Sequence, residues 1–414
     1  MTEYFSGARC TNNTASGRIP FGILDLARET ALRFPFFPKK RCRNAALVAV
    51  DVRRDGVILA ALQGDSSSPR LSLLVKQPWP EEDGSSRDAL DRTLSPLVQE
   101  HGLANCPATT LLYRPHFNLV LSEAPEGVSG EELRSAMQWR VRDLLDFPVE
   151  EAVIDVLPIP GVEIPGEGPP LFVVAARRET VKARVEHCRE AGLELGSVDI
   201  PDMAHRNLAH LLPEDASGTC LVVLDAENPL ISITKGGELI FSRQLGLDIR
   251  EDFAALAAEL GVDGEEARRL RVEHGLEGEP GSAGEGQLAG ADPEPDELQL
   301  EEVAEEEADP LREMLTDFAE RLALEVQRSL DYYDSRYRQA AIRKVHLAGE
   351  GARVQGLAGY LGSALDREFV FLDPLAHLPA DEGLQSGAAA ADSPVQEGIY
   401  AIGAGLRILG GEPS

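Results

Sequence analysis

The stretch Leu347-Ala-Gly-Glu-Gly-Ala-Arg-Val-Gln-Gly-Leu357 decides the fold that this sequence predicts. It follows the short apolar run Val345-His346-Leu347 and opens a helix-like segment that ends at Leu365. A strand that passes through a glycine turn into a helix brings backbone N–H groups to a helix N-terminus, where an anion or a nucleotide can bind. Glycines after strands are also common in ordinary turns. The interpretation of this stretch therefore depends on the rest of the chain.

Two other units share one pattern, in which an apolar strand ends in aspartate and a turn leads into a second strand. Residues 45–51 end at Asp51, and residues 219–225 end at Asp225. Continuous apolar runs of this kind indicate strands that are buried on both faces. Many α/β folds fit either unit alone. The duplication favours an actin-like ATPase fold, in which two ribonuclease-H-like lobes enclose a cleft.

The chain is strongly acidic. Its 414 residues are enough for two to four domains of ~100–200 residues each, and they carry a formal net charge of −30. Residues 277–309 contain thirteen acidic and no basic residues, and the chain without them still has a charge of −17. A nucleic-acid partner needs clustered Lys and Arg to neutralise phosphates. The charge therefore argues against nucleic-acid binding.

Cysteine usage and hydropathy indicate the compartment. Five scattered cysteines form no CxxC pair, which predicts buried thiols in a reducing cytoplasm. No apolar run approaches the ~18 residues of a membrane-spanning helix, and no signal peptide is recognisable. We therefore expect a cytoplasmic protein.

An α+β module follows the first lobe. Residues 131–144 place Leu133, Met137, Val141 and Leu144 on one apolar face of a helix, which Phe147-Pro148 ends. Apolar strands are predicted at 152–157 and 171–176, then a helix and a returning strand. The module is predicted to be an inserted subdomain.

These units give a predicted organisation. The N-terminal tail and an acidic insertion are too polar to bury enough surface for folding. The predicted segments are a flexible tail (1–43), the first-lobe core (44–122), the inserted subdomain (123–200), a connection within the first lobe (201–216), the second-lobe core (217–250), its outer subdomain (251–340) with the disordered acidic insertion (277–309), the remaining second-lobe core (341–394), and a C-terminal helix and tail (395–414).

The inserted module carries a specific resemblance. The segments LLDFPVEEAVIDV (144–156) and LFVVAARRETVKARVEHCREAGLELGSVDIPDMAHRNL (171–208) are similar to the inserted subdomain of the PilM/MshI family. These are actin-like cytoplasmic proteins of type IV and MSHA-type pilus assembly, related to the division protein FtsA. Residues 260–270 and 324–334 and the glycine stretch agree with the resemblance, which spans roughly residues 45–409. The sequence LLDFPVEEAV resembles the MshI branch more than PilM itself.

The resemblance implies a nucleotide site between the lobes, with ATP or ADP and Mg²⁺ as possible cofactors. Family members carry an Asp-x-Gly type turn after each of the two strands. Its glycines let N–H groups approach phosphates, and its aspartate holds hydrated Mg²⁺. The matching positions here are Asp51 and Asp225, with Gly349, Gly351 and Gly356 on the adenosine side.

The chain departs from the family pattern after both aspartates. Arg53-Arg-Asp-Gly56 replaces the first glycine-rich loop, and Glu227-Asn-Pro229 replaces the second. Pro229 lacks an N–H donor, and Glu227 places an anion where a phosphate would lie. Arg53 and Arg54 are expected to be solvated turn residues, and both aspartates serve equally well as turn formers. We expect a degraded site that could still bind a purine or ADP, without hydrolysis.

Two functions of different classes remain. The first is a non-catalytic scaffold that captures the short cytoplasmic tail of an inner-membrane pilus-assembly protein and reaches the membrane through that partner. The resemblance places the tail in a groove between the first lobe and the inserted subdomain, near Trp139, Leu145 and Phe147, although such side chains are more often core residues.

The second function is an active ATPase or sugar-kinase relative, in which Asp51 and Asp225 position Mg²⁺ and water. The cytoplasmic platform component of type II secretion shares the fold and is a further alternative. Homo-oligomerisation is left open by the sequence.

Overall fold

The structure is a computed structural model that describes residues 45–64, 68–80, 86–164, 166–276, 309–337, 341–381, 384 and 394–407. The predicted tail at 1–43 lies outside the described residues. So do the predicted acidic insertion, apart from Asp309, and residues 382–383 and 385–393.

Two five-stranded sheets with the same topology form the cores of two lobes. In each sheet three antiparallel strands are followed by two parallel ones, in the orders β3-β2-β1-β4-β8 and β11-β10-β9-β12-β13. The duplication predicted from the sequence is therefore present. The strands are β1 (Leu47–Val52), β2 (Gly56–Gln63), β3 (Arg70–Pro78), β4 (Pro107–Leu111), β5 (Phe117–Glu123), β6 (Ala152–Pro158), β7 (Pro170–Arg177), β8 (Glu194–Asp199), β9 (Thr219–Val223), β10 (Leu230–Lys235), β11 (Glu238–Gln244), β12 (Lys344–Ala348) and β13 (Glu368–Phe371).

Helices cover these sheets and join the lobes. They are α1 (Ser86–Glu100), α2 (Gly130–Val141), α3 (Arg178–Glu190), α4 (Pro201–Ala209), α5 (Ile249–Leu260), α6 (Gly264–Glu273), α7 (Pro310–Tyr337), α8 (Leu357–Leu365), α9 (Pro394–Glu397) and α10 (Ile399–Gly405). The predicted C-terminal helix is instead divided at Gly398, where the backbone leaves helical geometry. None of the helices in the described part of the chain has the length and apolar character that a bilayer crossing requires.

The inserted subdomain has different limits from those predicted. A third sheet, in the order β5-β7-β6, carries α2 on one face. Strand β8 pairs with β4 of the first lobe, and Cys188 of α3 shares a core with Val98 of α1. The insertion therefore includes β5 and ends with β7, because hydrogen bonding assigns β8 to the first-lobe sheet. The prediction of 123–200 is displaced at both ends.

A shared core holds the two lobes together. Helices α4 and α10 lie between the sheets, and their apolar residues form one cluster with residues of β2 and β9. Gly403 of α10 approaches α4 so closely that a Cβ there would lie 2.6 Å from the carbonyl oxygen of Ala204. The two lobes are therefore joined by closely packed helices.

Two cysteines agree with the prediction of buried thiols. Cys188 and Cys220 are free and buried.

Candidate functional site

The turns after β1 and β9 face each other in the cleft. Asp51 lies within β1 and Asp225 just beyond β9, and both side chains are buried. Both strands are continuous apolar runs at the centre of their sheets, so each carries its aspartate to the edge of the cleft. The structure therefore brings together the two predicted aspartates.

Arg53 fills the space between these aspartates. Its Nη2 donates a hydrogen bond to Asp225 Oδ2, and its Nε lies 3.7 Å from Asp51 Oδ2. Its Nη1 donates to the hydroxyl of Tyr113 at 2.9 Å, and that hydroxyl donates to Asp51 Oδ1 at 2.9 Å. The Arg53 side chain is only 5% exposed. The guanidinium thus links a carboxylate of each lobe.

The prediction that Arg53 is a solvated turn residue is wrong. A guanidinium leaves water only where carboxylates compensate its lost hydration. Here one of the two carboxylates comes from a position 172 residues further along the chain. Arg54, its neighbour, is exposed as predicted.

Burial and the arginine act in opposite directions on Asp51. Burial raises the pKa of its carboxyl from 3.8 to about 6, against the lowering effects of Arg53 and the Tyr113 hydrogen bond. Burial also works against the charge on Arg53, but the attraction of Asp225 keeps the pKa of that guanidinium above its usual value. At neutral pH the cluster therefore holds an internal cation between two carboxylates.

The raised pKa of Asp51 predicts a pH effect on stability. A carboxyl whose folded pKa is raised favours folding below its unfolded pKa, and this contribution is lost as the pH rises through about 6. Between pH 4 and pH 7 the free energy of unfolding should fall by about 2 kcal/mol more in the wild type than in Asp51→Asn, since a pKa unit is worth about 1.4 kcal/mol and part of the unfolded-state carboxyl is already ionised at pH 4. Urea titrations at both pH values measure this double difference. Equal changes in both proteins would contradict it.

The second turn is closed by its own hydrogen bonds. Asp225 Oδ1 accepts from the backbone N–H groups of Glu227 and Asn228, both at 2.9 Å. Glu227 Oε1 accepts from the backbone N–H of Arg54 at 3.0 Å and from Arg250 Nη2 at 2.8 Å. The two turns therefore contact each other directly, and these N–H groups are not available to a phosphate.

The glycine turn after β12 also uses its N–H groups internally. Gly349 donates to Gln396 Oε1 at 2.8 Å, and Gly351 donates to the carbonyl of Leu224 at 2.8 Å. A Cβ on Gly349 would lie 2.9 Å from the Leu224 carbonyl, and one on Gly356 would lie 2.2 Å from the Leu276 carbonyl. The three predicted glycines thus allow close packing of backbone against backbone.

This donor set does not fit Mg²⁺ with a triphosphate. Mg²⁺ takes carboxylate and water oxygens in octahedral geometry, whereas here a guanidinium is bonded to Asp225 and lies beside Asp51. A dication in the same place would be repelled by Arg53, and Glu227 would repel the phosphates. The degradation of the nucleotide site stays a prediction.

The inserted subdomain presents a second candidate site. Trp139 is 68% exposed and Leu144 is 61% exposed. Leu145 is half-buried, and Phe147 is buried beneath Arg177, whose Cζ lies 4.3 Å from the centre of its ring. Of the three predicted tail-binding residues, only Trp139 is freely accessible. Phe147 instead packs in the core of the inserted subdomain, which was the alternative role for such side chains.

Leu144 was missed as a surface residue. The sequence predicts it on the buried stripe of a helix running to 144. The helix ends at Val141, and a 3₁₀ turn at Arg142–Leu144 follows. The tighter turn has a different residue period, which rotates Leu144 out of the stripe. The Phe147-Pro148 helix stop was the only signal in the sequence that the helical period would fail here.

Two lobes with duplicated sheets, a shared core and a cleft between paired Asp turns define a protein of the actin-like ATPase fold. The sequence model of the family described as type IV pilus assembly protein PilM matches residues 120–279 and 303–408. The match covers more than half of the chain, and the chain therefore belongs to this family.

Several solved structures resemble this chain to different degrees. The chain is similar to the PilM-PilN type IV pilus biogenesis complex, with 21% identity, a TM-score of 0.66, and coverage of 89% of this chain and 100% of that one. It is also similar to the ethanolamine utilization protein EutJ from Carboxydothermus hydrogenoformans, with 13% identity, a TM-score of 0.44, and coverage of 87% and 88%. MreB 5 of Spiroplasma citri bound to AMPPNP matches at 10% identity, with a TM-score of 0.42 and coverage of 86% and 94%.

Proposed function

We propose that this protein is a non-catalytic scaffold of type IV or MSHA-type pilus assembly. In this role it binds the cytoplasmic tail of an inner-membrane assembly protein, and it is cytoplasmic and held at the membrane by that partner. Membership of the PilM family supports the pilus role. The similar solved structure is a complex of PilM with PilN, which supports a protein partner. The nearer likeness to MshI stays a prediction, as does homo-oligomerisation.

The observation that carries the non-catalytic assignment is the position of Arg53. Phosphoryl transfer needs metal ions and hydrogen-bond donors arranged around the transferred phosphoryl group. Arg53 instead bonds to Asp225, and Glu227 bonds to the opposite turn. Contacts between side chains of the two lobes take the place that a metal nucleotide has in an active enzyme.

The face around Trp139 supports the tail-binding part of the proposal. Trp139 and Leu144 expose apolar surface on the inserted subdomain. Large exposed aromatic side chains are enriched where proteins bind one another. The three-stranded sheet beside them ends in the edge strands β5 and β6, and an extended peptide can add to such an edge. A short tail with apolar anchors and strand-like backbone fits both features.

Binding of fluorescent tail peptides tests this surface. A panel would contain the cytoplasmic tails of candidate inner-membrane pilus proteins, with binding followed by anisotropy. Trp139→Ala should weaken the binding of the cognate tail by about thirtyfold, as expected for an interface residue worth about 2 kcal/mol. Leu144→Ala should weaken it less.

Leu324→Ala is the matched control for Leu144→Ala. Leu324 is 50% exposed on α7 of the second lobe, so its truncation removes a similar apolar area from a different lobe. Equal effects of the two leucine variants, or full tail affinity in Trp139→Ala, would reject this surface.

Calorimetry with ATP and Mg²⁺ tests the non-catalytic assignment separately. We expect no turnover and no binding that depends on Mg²⁺. Micromolar binding of ATP with turnover that Asp225→Ala abolishes would instead establish the ATPase alternative.

A further inference from the structure

Three side chains with metal-ligating atoms meet where two helices of the first lobe pack together. Asp91 lies on α1, and His187 and Glu190 lie on α3. Each offers one nitrogen or oxygen atom, and these three atoms all lie within 4.8 Å of one another. An ion bound at the usual length to each atom needs ligand atoms roughly 3–3.5 Å apart. Modest side-chain rotations would therefore bring all three atoms to one ion.

The last turn of α3 supplies two of the three ligands. His187 and Glu190 are three residues apart in this helix, so their side chains lie on the same face. The C-terminal end of a helix carries partial negative charge, which attracts cations and disfavours carboxylates. Glu190, the last residue of α3, is therefore in an unfavourable place. A cation bound beside it would remove this disadvantage.

A hydrogen bond already orients the histidine towards the ligand on the other helix. His187 is buried, and its Nδ1 lies 2.7 Å from Asp91 Oδ1. A carboxylate can only accept, so the imidazole N–H donates this bond. A neutral imidazole can carry its single proton on either nitrogen. Transfer of the proton to Nε2 would leave Nδ1 as a metal ligand next to the carboxylate oxygen.

The core of the first lobe fixes the position of these helices. α1 and α3 pack on the first-lobe sheet, where their apolar residues contact Val48 and Val50 of β1. Ala49, between these valines, belongs to the core that the two lobes share. Successive residues of a strand point to opposite faces of the sheet. The three ligands therefore lie on the sheet face opposite α4 and α10, and none of them belongs to the Asp turns or to the glycine turn.

One imidazole and two carboxylates favour zinc over the alkaline-earth ions. Ca²⁺ and Mg²⁺ take oxygen ligands, whereas Zn²⁺ accepts imidazole nitrogen and carboxylate oxygen in the same site. Three protein ligands leave the fourth tetrahedral position to water. The net charge of −30 also attracts cations to the protein.

We propose that Asp91, His187 and Glu190 form a binding site for Zn²⁺. The ion joins α1 to α3, and α3 directly follows β7, the last strand of the inserted subdomain. It therefore cross-links the first-lobe core to the point where the chain returns from the insertion. Asp91 and His187 are 96 positions apart in the sequence, so the unfolded chain does not hold this set of ligands together. Zinc therefore stabilises the folded chain.

Calorimetric titration of the full chain with ZnCl₂, after treatment with EDTA and dialysis, tests the site. We expect saturable binding and a rise in melting temperature, and neither effect with CaCl₂ at equal ionic strength. Absence of saturable zinc binding would overturn the proposal and leave the contact between Asp91 and His187 as an interhelical hydrogen bond only. Equally tight binding of Ca²⁺ would also overturn it, because the imidazole would then not be a ligand.

Glu190→Gln should weaken zinc binding by more than about tenfold. Loss of a group that only orients a metal ligand already costs about 10–100-fold in affinity, and Glu190 is itself a ligand. The residue is exposed, so this test does not depend on a buried substitution. Glu179→Gln is the matched control, because it removes the same charge from an exposed position in the first turn of α3. That position is about 12 Å along the helix from His187, and the variant should bind zinc as the wild type does.

Equal zinc affinities of Glu190→Gln and Glu179→Gln would place the bound ion elsewhere and reject the site. His187→Gln should lose the zinc-dependent rise in melting temperature, and a rise as large as that of the wild type would also reject it. Trp139→Ala, which tests the tail-binding surface, should bind zinc with unchanged affinity. A failure of the zinc site is thereby distinguished from a failure of the scaffold proposal.

Discussion

Replacing Arg53 with alanine is expected to lower the free energy of unfolding by about 3–5 kcal/mol, because removal of one partner from a buried ion pair leaves an uncompensated charge. Here the remaining groups are the carboxylates of Asp51 and Asp225, one from each lobe. Their mutual repulsion would act across the cleft. Urea denaturation of the variant and the wild type measures the loss.

The same variant should acquire a response to Mg²⁺. Two buried carboxylates without the guanidinium form a plausible oxygen site for a hydrated dication. At a Mg²⁺ concentration ten times its dissociation constant, the free energy of unfolding of the variant should rise by about 1.4 kcal/mol. The free energy of unfolding of the wild type should rise no more than it does in NaCl at equal ionic strength. Arg53 would then be identified as an internal substitute for the metal.

Arg54→Ala is the matched control for this experiment. Its side chain is exposed, and only its backbone N–H bonds to Glu227. Surface substitutions of this kind usually change stability by less than about 0.5 kcal/mol. If Arg53→Ala were as stable as Arg54→Ala, or if the wild type responded equally to Mg²⁺, the proposed role of Arg53 would be wrong.

Gly349→Ala should destabilise the protein by about 3 kcal/mol or more in the complete absence of nucleotide. Gly349 has φ +88° and ψ 168°, a region that is nearly restricted to glycine and costs other residues about 1–3 kcal/mol. A Cβ there would also lie 2.9 Å from the Leu224 carbonyl, which adds a steric cost. Chemical denaturation of ligand-free protein checks the prediction.

Gly359→Ala provides a control of opposite sign. Gly359 lies inside α8 with an exposed position and no atom within 4 Å of a Cβ placed on it. Alanine in a helix interior is favoured over glycine by about 1 kcal/mol, so this variant should be stabilised. If Gly349→Ala were neutral without ligand, the glycine would instead be required for nucleotide, and the packing explanation would fail.

The arginine bridge explains how the lobes can keep their relative position without a ligand. A buried ion pair adds little net stability compared with apolar packing, but it accepts only one geometry. Contacts between Arg53 and Asp225, and between Glu227 and the turn at Arg54, fix the turns against each other. The shared core of α4 and α10 also joins the two lobes.

The sequence by itself determined the two lobes and their repeat. Continuous apolar runs that end at Asp51 and Asp225 are local signals, and the hairpin formed by β10 and β11 follows from its Gly236-Gly237 turn. The buried stripe of α7 likewise follows from its 3–4 residue spacing. Such features depend on neighbours a few residues apart, so no tertiary structure is needed to recognise them.

Only the tertiary structure decided where β5 and β8 pair, where Leu144 points and what Arg53 contacts. Strands of similar composition fit either sheet, because backbone hydrogen bonds do not depend on side-chain identity. The burial of Arg53 requires a carboxylate from a residue 172 positions away, and the glycines at 349 and 351 are required by the backbone of Leu224. Charge compensation and close packing act between residues that are distant in the sequence. The order of residues along the chain does not show which of these distant groups will come into contact.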